Sequence, residues 1–307
     1  MIYFITGASS FIGVELCRYL TNCGHRVIAM SRKSNERLNE IASGGKLQTL
    51  IADMRTLTVQ AQNVKADVFV HLAWAGTSHE ERNDPAIQNG NVLLAVEYVK
   101  LARQMGCKLF VDAGSQAEYG IVQNVISETT PCNPATAYGK AKLKMYLDVS
   151  ALTKQLKMKY IHLRIFSVYG EHDHENTLVI SSLKKMMVGA PVTLNSGLQK
   201  WNYLYEKDAA RQIAELTFNA YGNDNFRQEV YNIASDDTRR LQDFVITMKG
   251  ICNSSSTLSF GGYNPEKDVN LNPDMTKTEN VVKPLTQFRF EDVISKMIRH
   301  SYLEKVI

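Results

Sequence analysis

No stretch of this 307-residue sequence approaches the roughly 20 consecutive apolar residues that a helix needs to cross a bilayer, so no membrane-spanning helix is expected. The opening "MIYFITG" lacks the basic flank and the longer apolar region of a secretory signal. It reads as a first strand, and the chain is expected in the cytoplasm. Cysteine is scarce. Cys17, Cys23, Cys107, Cys132 and Cys252 are odd in number and include no CxxC pair, which argues against a disulfide framework and against a metal site. A basic stripe interleaved with aromatics is also missing. The net charge of +4 comes from scattered residues, so neither a nucleic acid nor a membrane is expected as a partner, and a small phosphorylated ligand fits better. The sequence shows no internal repeat and no low-complexity segment.

What is present is an alternation. The apolar runs "IYFIT", "RVIAM", "LQTLIA", "DVFVHLA" and "CKLFVDA" are separated by amphipathic stretches, notably Phe11 to Cys23, Ser34 to Ala42 and Asp84 to Gln104. Unbroken apolar strands between helices indicate a parallel sheet covered on both faces. A further helical pattern runs from after Pro134 to about Lys157, and "KYIHLRIF" follows as another strand. From about Gly170 the signals mix with loops rich in Asn, Asp, Ser and Gly. The expectation is an α/β protein: a doubly wound parallel sheet (Rossmann) over residues 1–169, with residues 170–307 mainly a smaller C-terminal substrate-binding lobe. Within that lobe, a segment at about 229–250, beginning with "EVYNIA", is expected to return to the sheet.

The loop "TGASSFIG" joins the first strand to the first helix. Gly7 and Gly13 stand at the ends of a tight turn whose backbone N–H groups converge on a helix N-terminus, a favourable place for a pyrophosphate. Ser10 occupies the position where a GxxGxxG fingerprint has a third glycine. The loop residues Ser9, Ser10, Phe11 and Ile12 complete the candidate dinucleotide cradle. The end of the second strand reads "AMSRKSNE", with Arg32 and Lys33 where an acidic residue would accept hydrogen bonds from an unphosphorylated ribose. With Ser31 beside them, they favour NADP (NADPH) over NAD.

"AYGKAK" places Lys142 four residues after Tyr138, one helical turn away on the same face. The spacing recurs at Tyr203/Lys207 and Tyr263/Lys267, so context must choose. Tyr203 lies in a strand-like stretch and Tyr263 precedes Pro265, whereas Tyr138 opens a helix downstream of the strand bearing Ser115. Tyr138/Lys142 is therefore the pair carried forward. His71, at the end of an apolar strand, reads as a packed core histidine.

Together these residues resemble the extended short-chain dehydrogenase/reductase family, which includes nucleotide-sugar epimerases, dehydratases and ketoreductases. The likeness runs in order through "TGASSFIG", "IADM", "VHLAWAG", Asn91-Val92, "FVDAGSQAEYG", "TPCNPATAYGKAK", "LRIFSVYG", "LQKWNYLYEKDAA" and "NPDMTKTENVV", nearly the whole chain. It implies cofactor contacts at Asp53, Met54, Leu72, Ala73, Trp74, Asn91, Ile165 and Phe166, besides Tyr138 and Lys142. It also implies substrate contacts at Thr77, Gln116, Glu118, Ser167, Asn176 and Trp201, besides Ser115 and Tyr138. Trp201 replaces an arginine common in the family's epimerases.

In the chemistry the resemblance implies, Tyr138 gives a proton to a carbonyl oxygen, Lys142 lowers the phenol's pKa and binds the nicotinamide ribose, and Ser115 stabilises the alkoxide. The expected function is NADPH-dependent reduction of a nucleotide-activated 4-keto-6-deoxyhexose, in the synthesis of an unusual sugar for surface polysaccharide, by a homodimer. A nucleotide-sugar 4-epimerase with retained NAD, and a non-catalytic dinucleotide-binding module, are the alternatives.

Overall fold

The computed structural model describes residues 1–299 except Gln62, His79, Tyr263 and residues 265–268, so Tyr263/Lys267 lies outside the described residues. In chain order the first part comprises β1 (Ile2–Thr6), α1 (Phe11–Asn22), β2 (Arg26–Ser31), α2 (Glu36–Ala42), β3 (Leu47–Ile51), α3 (Leu57–Gln60), β4 (Val68–His71), α4 (Pro85–Met105), β5 (Leu109–Ser115), α5 (Ala137–Gln155) and β6 (Lys159–Ile165). The rest comprises β7 (Ser167–Tyr169), α6 (Leu178–Met187), β8 (Val192–Leu194), β9 (Lys200–Tyr205), α7 (Glu206–Gly222), β10 (Gln228–Ile233), β11 (Thr238–Arg240), α8 (Leu241–Ile251), β12 (Leu258–Phe260), α9 (Thr276–Glu279) and α10 (Phe290–Arg299).

Seven parallel strands form the main sheet in the order β10-β6-β5-β4-β1-β2-β3. The helix boundaries follow from local chemistry. Ser10 caps α1, and Asp84 caps α4 by accepting from the Ala86 N–H at 2.8 Å, with Pro85 in the first turn and Gly106 in the left-handed conformation after the last. Thr136 accepts from the Gly139 N–H at 3.0 Å and starts α5, which fixes where Tyr138 sits. One sheet face packs on α1 and α7 through Ile5, Val14, Leu16, Val70 and Ile213. The other packs on α4 and α5 through Phe4, Phe69, Phe110, Tyr98 and Met145. The strand order reverses between β1 and β4, so their C-terminal ends open a crevice, the expected ligand position in a doubly wound sheet.

The smaller lobe has a three-stranded sheet, β11-β9-β7, and a two-stranded one, β12-β8. The extent expected for the returning segment is narrower in the structure. Of the segment at about 229–250, only β10 joins the main sheet. Beyond it the Asn202 side chain takes hold of the chain, accepting from the Ser235 N–H at 2.9 Å and donating to the Ser235 carbonyl at 2.9 Å. This turns β11 onto β9, and α8 buries Leu241, Phe244 and Met248 against Phe290 and Ile294 in the lobe's core. Conversely, α7 lies within 170–307 yet covers the main sheet, because Ala209, Ala210 and Ala214 let it approach closely enough to share a core with α1.

Candidate active site

The β1–α1 turn forms one wall of a cleft of about 530 Å³. Gly7 has φ +70°, and a Cβ there would come 2.6 Å from the Ala73 backbone nitrogen of the turn after β4. A Cβ at Gly13 would strike the Gly7 carbonyl oxygen, so both glycines are required for α1 to seat on the sheet. Ser10 occupies the third glycine's place without crowding it: its hydroxyl turns back to accept from the Gly13 N–H at 3.2 Å. Of the first-turn N–H groups of α1, those of Phe11 and Ile12 remain for an anion, Gly13 being capped by Ser10.

Of the residues expected to hold a dinucleotide, Gly7, Ser9, Ser10, Phe11, Ser31, Arg32, Met54, Leu72, Ala73 and Trp74 line this cleft, as does Thr77. Others do not. Ile12 packs against the core, and Lys33 is exposed, its carbonyl accepting from the Ser31 hydroxyl at 2.8 Å. The Asp53 carboxylate accepts from the Arg55 N–H at 2.8 Å. Asn91 is buried, receiving the Ala75 N–H and donating to the Ala75 carbonyl, both at 2.9 Å, so it braces the cleft wall from behind. Ile165 ends β6 against the core, and the Phe166 side chain turns away into a cluster with Tyr119 and Leu271. Sequence reasoning missed five lining residues: Met30 and Ala75, each next to a predicted one, Arg37, held by Glu15 at 2.8 Å, and His172 and His174 from the loop after β7. Arg37 is one helical turn past the basic pair, a signal in hand; the two histidines cross from the other lobe and gave none.

Ser115, Tyr138 and Lys142 are brought together at the C-terminal end of β5. The Ser115 hydroxyl, which accepts from the Ala117 N–H at 3.2 Å, lies beside the Tyr138 phenol. Lys142, 3 % exposed, donates to the Ala113 carbonyl at 2.6 Å, and its Nζ lies 3.5 Å from the Trp74 ring centroid and 5.7 Å from that of Tyr138. Trp74 meets Tyr138 edge-on, with centroids 6.1 Å apart. Arg82, unforeseen from sequence, places its guanidinium 4.2 Å from the Tyr138 ring centroid. Burial pushes the phenol's pKa up, while Arg82 and the Ser115 hydroxyl pull it down. Burial lowers Lys142 to about 7, with Arg82 adding to the effect and Asp112 and Glu118 opposing it. His71 is a core residue as expected: its Nδ1 lies 2.8 Å from the Thr6 hydroxyl, and burial, reinforced by Lys142, drops its pKa to about 3.

The model of the NAD dependent epimerase/dehydratase family matches residues 3–234. A dTDP-6-deoxy-L-talose 4-dehydrogenase (NAD(+)) from Aggregatibacter actinomycetemcomitans is 31% identical over 225 residues, covering 70% of this chain and 79% of its own. The chain belongs to the NAD dependent epimerase/dehydratase family. Another member, a dTDP-4-dehydro-6-deoxyglucose reductase from Escherichia coli, is 24% identical over 83% of each chain. The same fold is seen in the UDP-glucuronic acid 4-epimerase from Bacillus cereus, solved in complex with UDP-glucuronic acid and NAD, at a TM-score of 0.85 and 19% identity over 100% of both chains. Membership makes this protein an enzyme of oxidoreductase or epimerase type that works with a nicotinamide dinucleotide.

The side chains this family member was expected to turn on a substrate fall into four groups. Gln116 and Ser167 are half-buried, following β5 and opening β7. Asn176 is exposed on the segment whose His172 and His174 border the cleft. Trp201 packs beside Tyr203, centroids 6.2 Å apart, with its indole N–H buried and unpartnered. Glu118 is corrected: it is fully buried, accepting from the Ser115 N–H at 2.7 Å and pairing with Arg164 Nε at 3.0 Å, so its side chain cannot meet a substrate. Its turn starts at Ser115 and points the carboxylate under the strand rather than into the cleft.

Among the described residues, Glu171, His172 and Glu206 alone gather as metal-ligand types. Glu171 is already engaged, by Lys296 at 2.6 Å and by the Tyr205 hydroxyl at 2.8 Å. Burial opposes its ionisation, yet these donors hold its pKa at about 2. Burial and the neighbouring Glu171 instead push Glu206 up to about 7, against a pull from His172, so the two carboxyls share one proton.

Proposed function

We propose that this enzyme reduces the carbonyl of a nucleotide-activated 4-keto-6-deoxyhexose with NADPH, in the cytoplasm and as a homodimer. The observation carrying the proposal is the convergence of a phenol, a hydroxyl and a buried ammonium at the end of β5, beside the Trp74 that lines the cleft. Ser9 to Gly13, Trp74 and Lys142 would hold the cofactor, and a reduced nicotinamide supplies a hydride to the carbonyl carbon. The chain's own groups complete the reduction. Tyr138 delivers a proton to the carbonyl oxygen, Ser115 steadies the developing alkoxide, Arg82 eases proton loss from the phenol, and the Lys142 ammonium stands 5.7 Å from the phenol ring. The relatives support the sugar: one is named for dehydrogenation at C4 of a dTDP-6-deoxyhexose, another for reduction of a dTDP-4-keto-6-deoxyhexose.

Arg32 and Arg37 support the choice of NADPH, since two guanidinium groups line the cleft beside the end of β2. An epimerase reading draws on likeness to UDP-sugar 4-epimerases whose solved structures hold NAD. The two are separated by incubating the purified enzyme with a panel of nucleotide 4-ketohexoses and NADPH. Reduction predicts one nicotinamide consumed per product, with a lower KM for NADPH than for NADH. Tightly co-purifying NAD and interconversion of C4 epimers without net NADPH loss would overturn it.

A further inference from the structure

Behind Ser115 lies a chain of charged groups that the reaction as described does not use. Asp112, Glu118, His162 and Arg164 are each 4 % exposed or less. His162 bridges the two acids, its Nδ1 2.6 Å from Asp112 Oδ1 and its Nε2 3.0 Å from Glu118 Oε2. Arg164 Nε adds a second cation to Glu118 at 3.0 Å, and the Tyr160 hydroxyl donates to Asp112 Oδ2 at 2.9 Å. Burying four ionic groups is costly, and well-packed apolar residues serve stability as well or better. The chain also forgoes a side chain to admit them: a Cβ at Gly114 would strike His162 and come 2.5 Å from Glu118 Oε1. The network therefore abuts the backbone between Ala113, whose carbonyl receives Lys142, and Ser115, whose N–H enters Glu118 at 2.7 Å.

We propose that Glu118 is a positioning residue for carbonyl reduction: clamped by His162 and Arg164, its carboxylate fixes Ser115 through the backbone and sustains the positive charge of Lys142. This rests on the reading of Ser115, Tyr138 and Lys142 as a reducing site. The charges balance accordingly. Asp112 and Glu118 offset His162 and Arg164, so the network adds no net positive charge against the Lys142 ammonium, and loss of either acid leaves it with an excess. Burial opposes the charge on His162, but Glu118 and Asp112 together raise its pKa to about 9, so it is a cation at neutral pH. The titratable groups facing Glu118 are Tyr160, His162 and Arg164 from β6, Cys132 from the loop before α5, and Tyr138 and Lys142 from α5. Lys142 is faced additionally by Asp112 from β5, by Arg82 from the turn before α4 and by His71 from β4.

The test is Glu118→Gln, nearly isosteric, beside Asp112→Asn, which leaves the Ser115 bond intact. Both are assayed against wild type for kcat, KM, the pH profile of kcat and Tm. Glu118→Gln is expected to lower kcat about ten- to hundredfold with both KM values within about twofold. In both variants the basic limb of the profile moves down by about half a pH unit or more, because Lys142 loses its proton sooner. Asp112→Asn shows the limb shift with a smaller loss of kcat. Limbs that stay in place in both variants, or a kcat that falls only in step with Tm, would overturn the inference while leaving the reducing site intact. A wild type that consumes no NADPH with any ketosugar removes both.

Discussion

An ammonium packed 3.5 Å from an indole ring and screened from water carries its charge only if its neighbours compensate for lost hydration. At Lys142 the compensation comes from Trp74, the Ala113 carbonyl and two carboxylates, and it leaves the amine near pH 7 rather than fully protonated. The Trp74 face is thus a working part of the site. Trp74→Leu is expected to cost about 1 kcal/mol, roughly a fivefold loss of kcat, and to move the basic limb of the pH profile downward, with Trp74→Phe recovering most of it. Steady-state kinetics across pH 6–9 would check this. Tyr138, Lys142 and Ser115 were legible in the sequence, because one helical turn and one strand end fix their relation. The Trp74 and Arg82 contacts were not, since they depend on how the loop after β4 folds back. Glu118 was misread for a related reason: its adjacency to Ser115 in sequence does not say that a short helical turn aims it inward.

Glu206, at the start of α7, faces Glu171 from the loop after β7, and Lys296 of α10 completes the junction. A free glutamate titrates near 4.5 and Glu206 near 7, so the folded chain binds more protons than the unfolded one between those values. Stability should therefore fall as pH rises across that window and stay lowered above it. Glu206→Gln supplies a neutral donor to Glu171 at every pH. It is expected to raise Tm at pH 8 by about 2–5 °C, with the gain shrinking toward pH 5 as the wild-type carboxyl takes its proton. A gain independent of pH would contradict this, and thermal scans at several pH values decide it. At this scale the apolar strands and the capped helices were readable, because β1, β4 and β5 are continuous runs and Asp84 with Pro85 announces α4. The destination of "LQDFVITM" was not. Its apolar period predicts a helix, but only the Asn202 bonds to Ser235 determine which core that helix joins.

For the whole molecule, the sheet and the family were accessible from motif order, while the strand order with its switch point and the interlocking of the two lobes were not. No long apolar segment marks α7 as part of the sheet's cover; its alanines matter only once α1 is beside it. The proposed homodimer draws on α4 and α5, where Leu93 and Leu147 are 70% and 56% exposed. The double variant Leu93→Glu, Leu147→Glu is expected to sediment at once the chain mass where wild type sediments at twice it. An unchanged profile would place the interface elsewhere. The central claim, that one phenol protonates the reduced carbonyl, is met most directly by Tyr138→Phe, assayed for NADPH consumption with the preferred nucleotide 4-ketohexose and for NADPH binding by fluorescence. The account predicts a kcat lower by about a hundredfold or more with unaltered NADPH affinity. A variant that binds NADPH normally and turns over at the wild-type rate would contradict it.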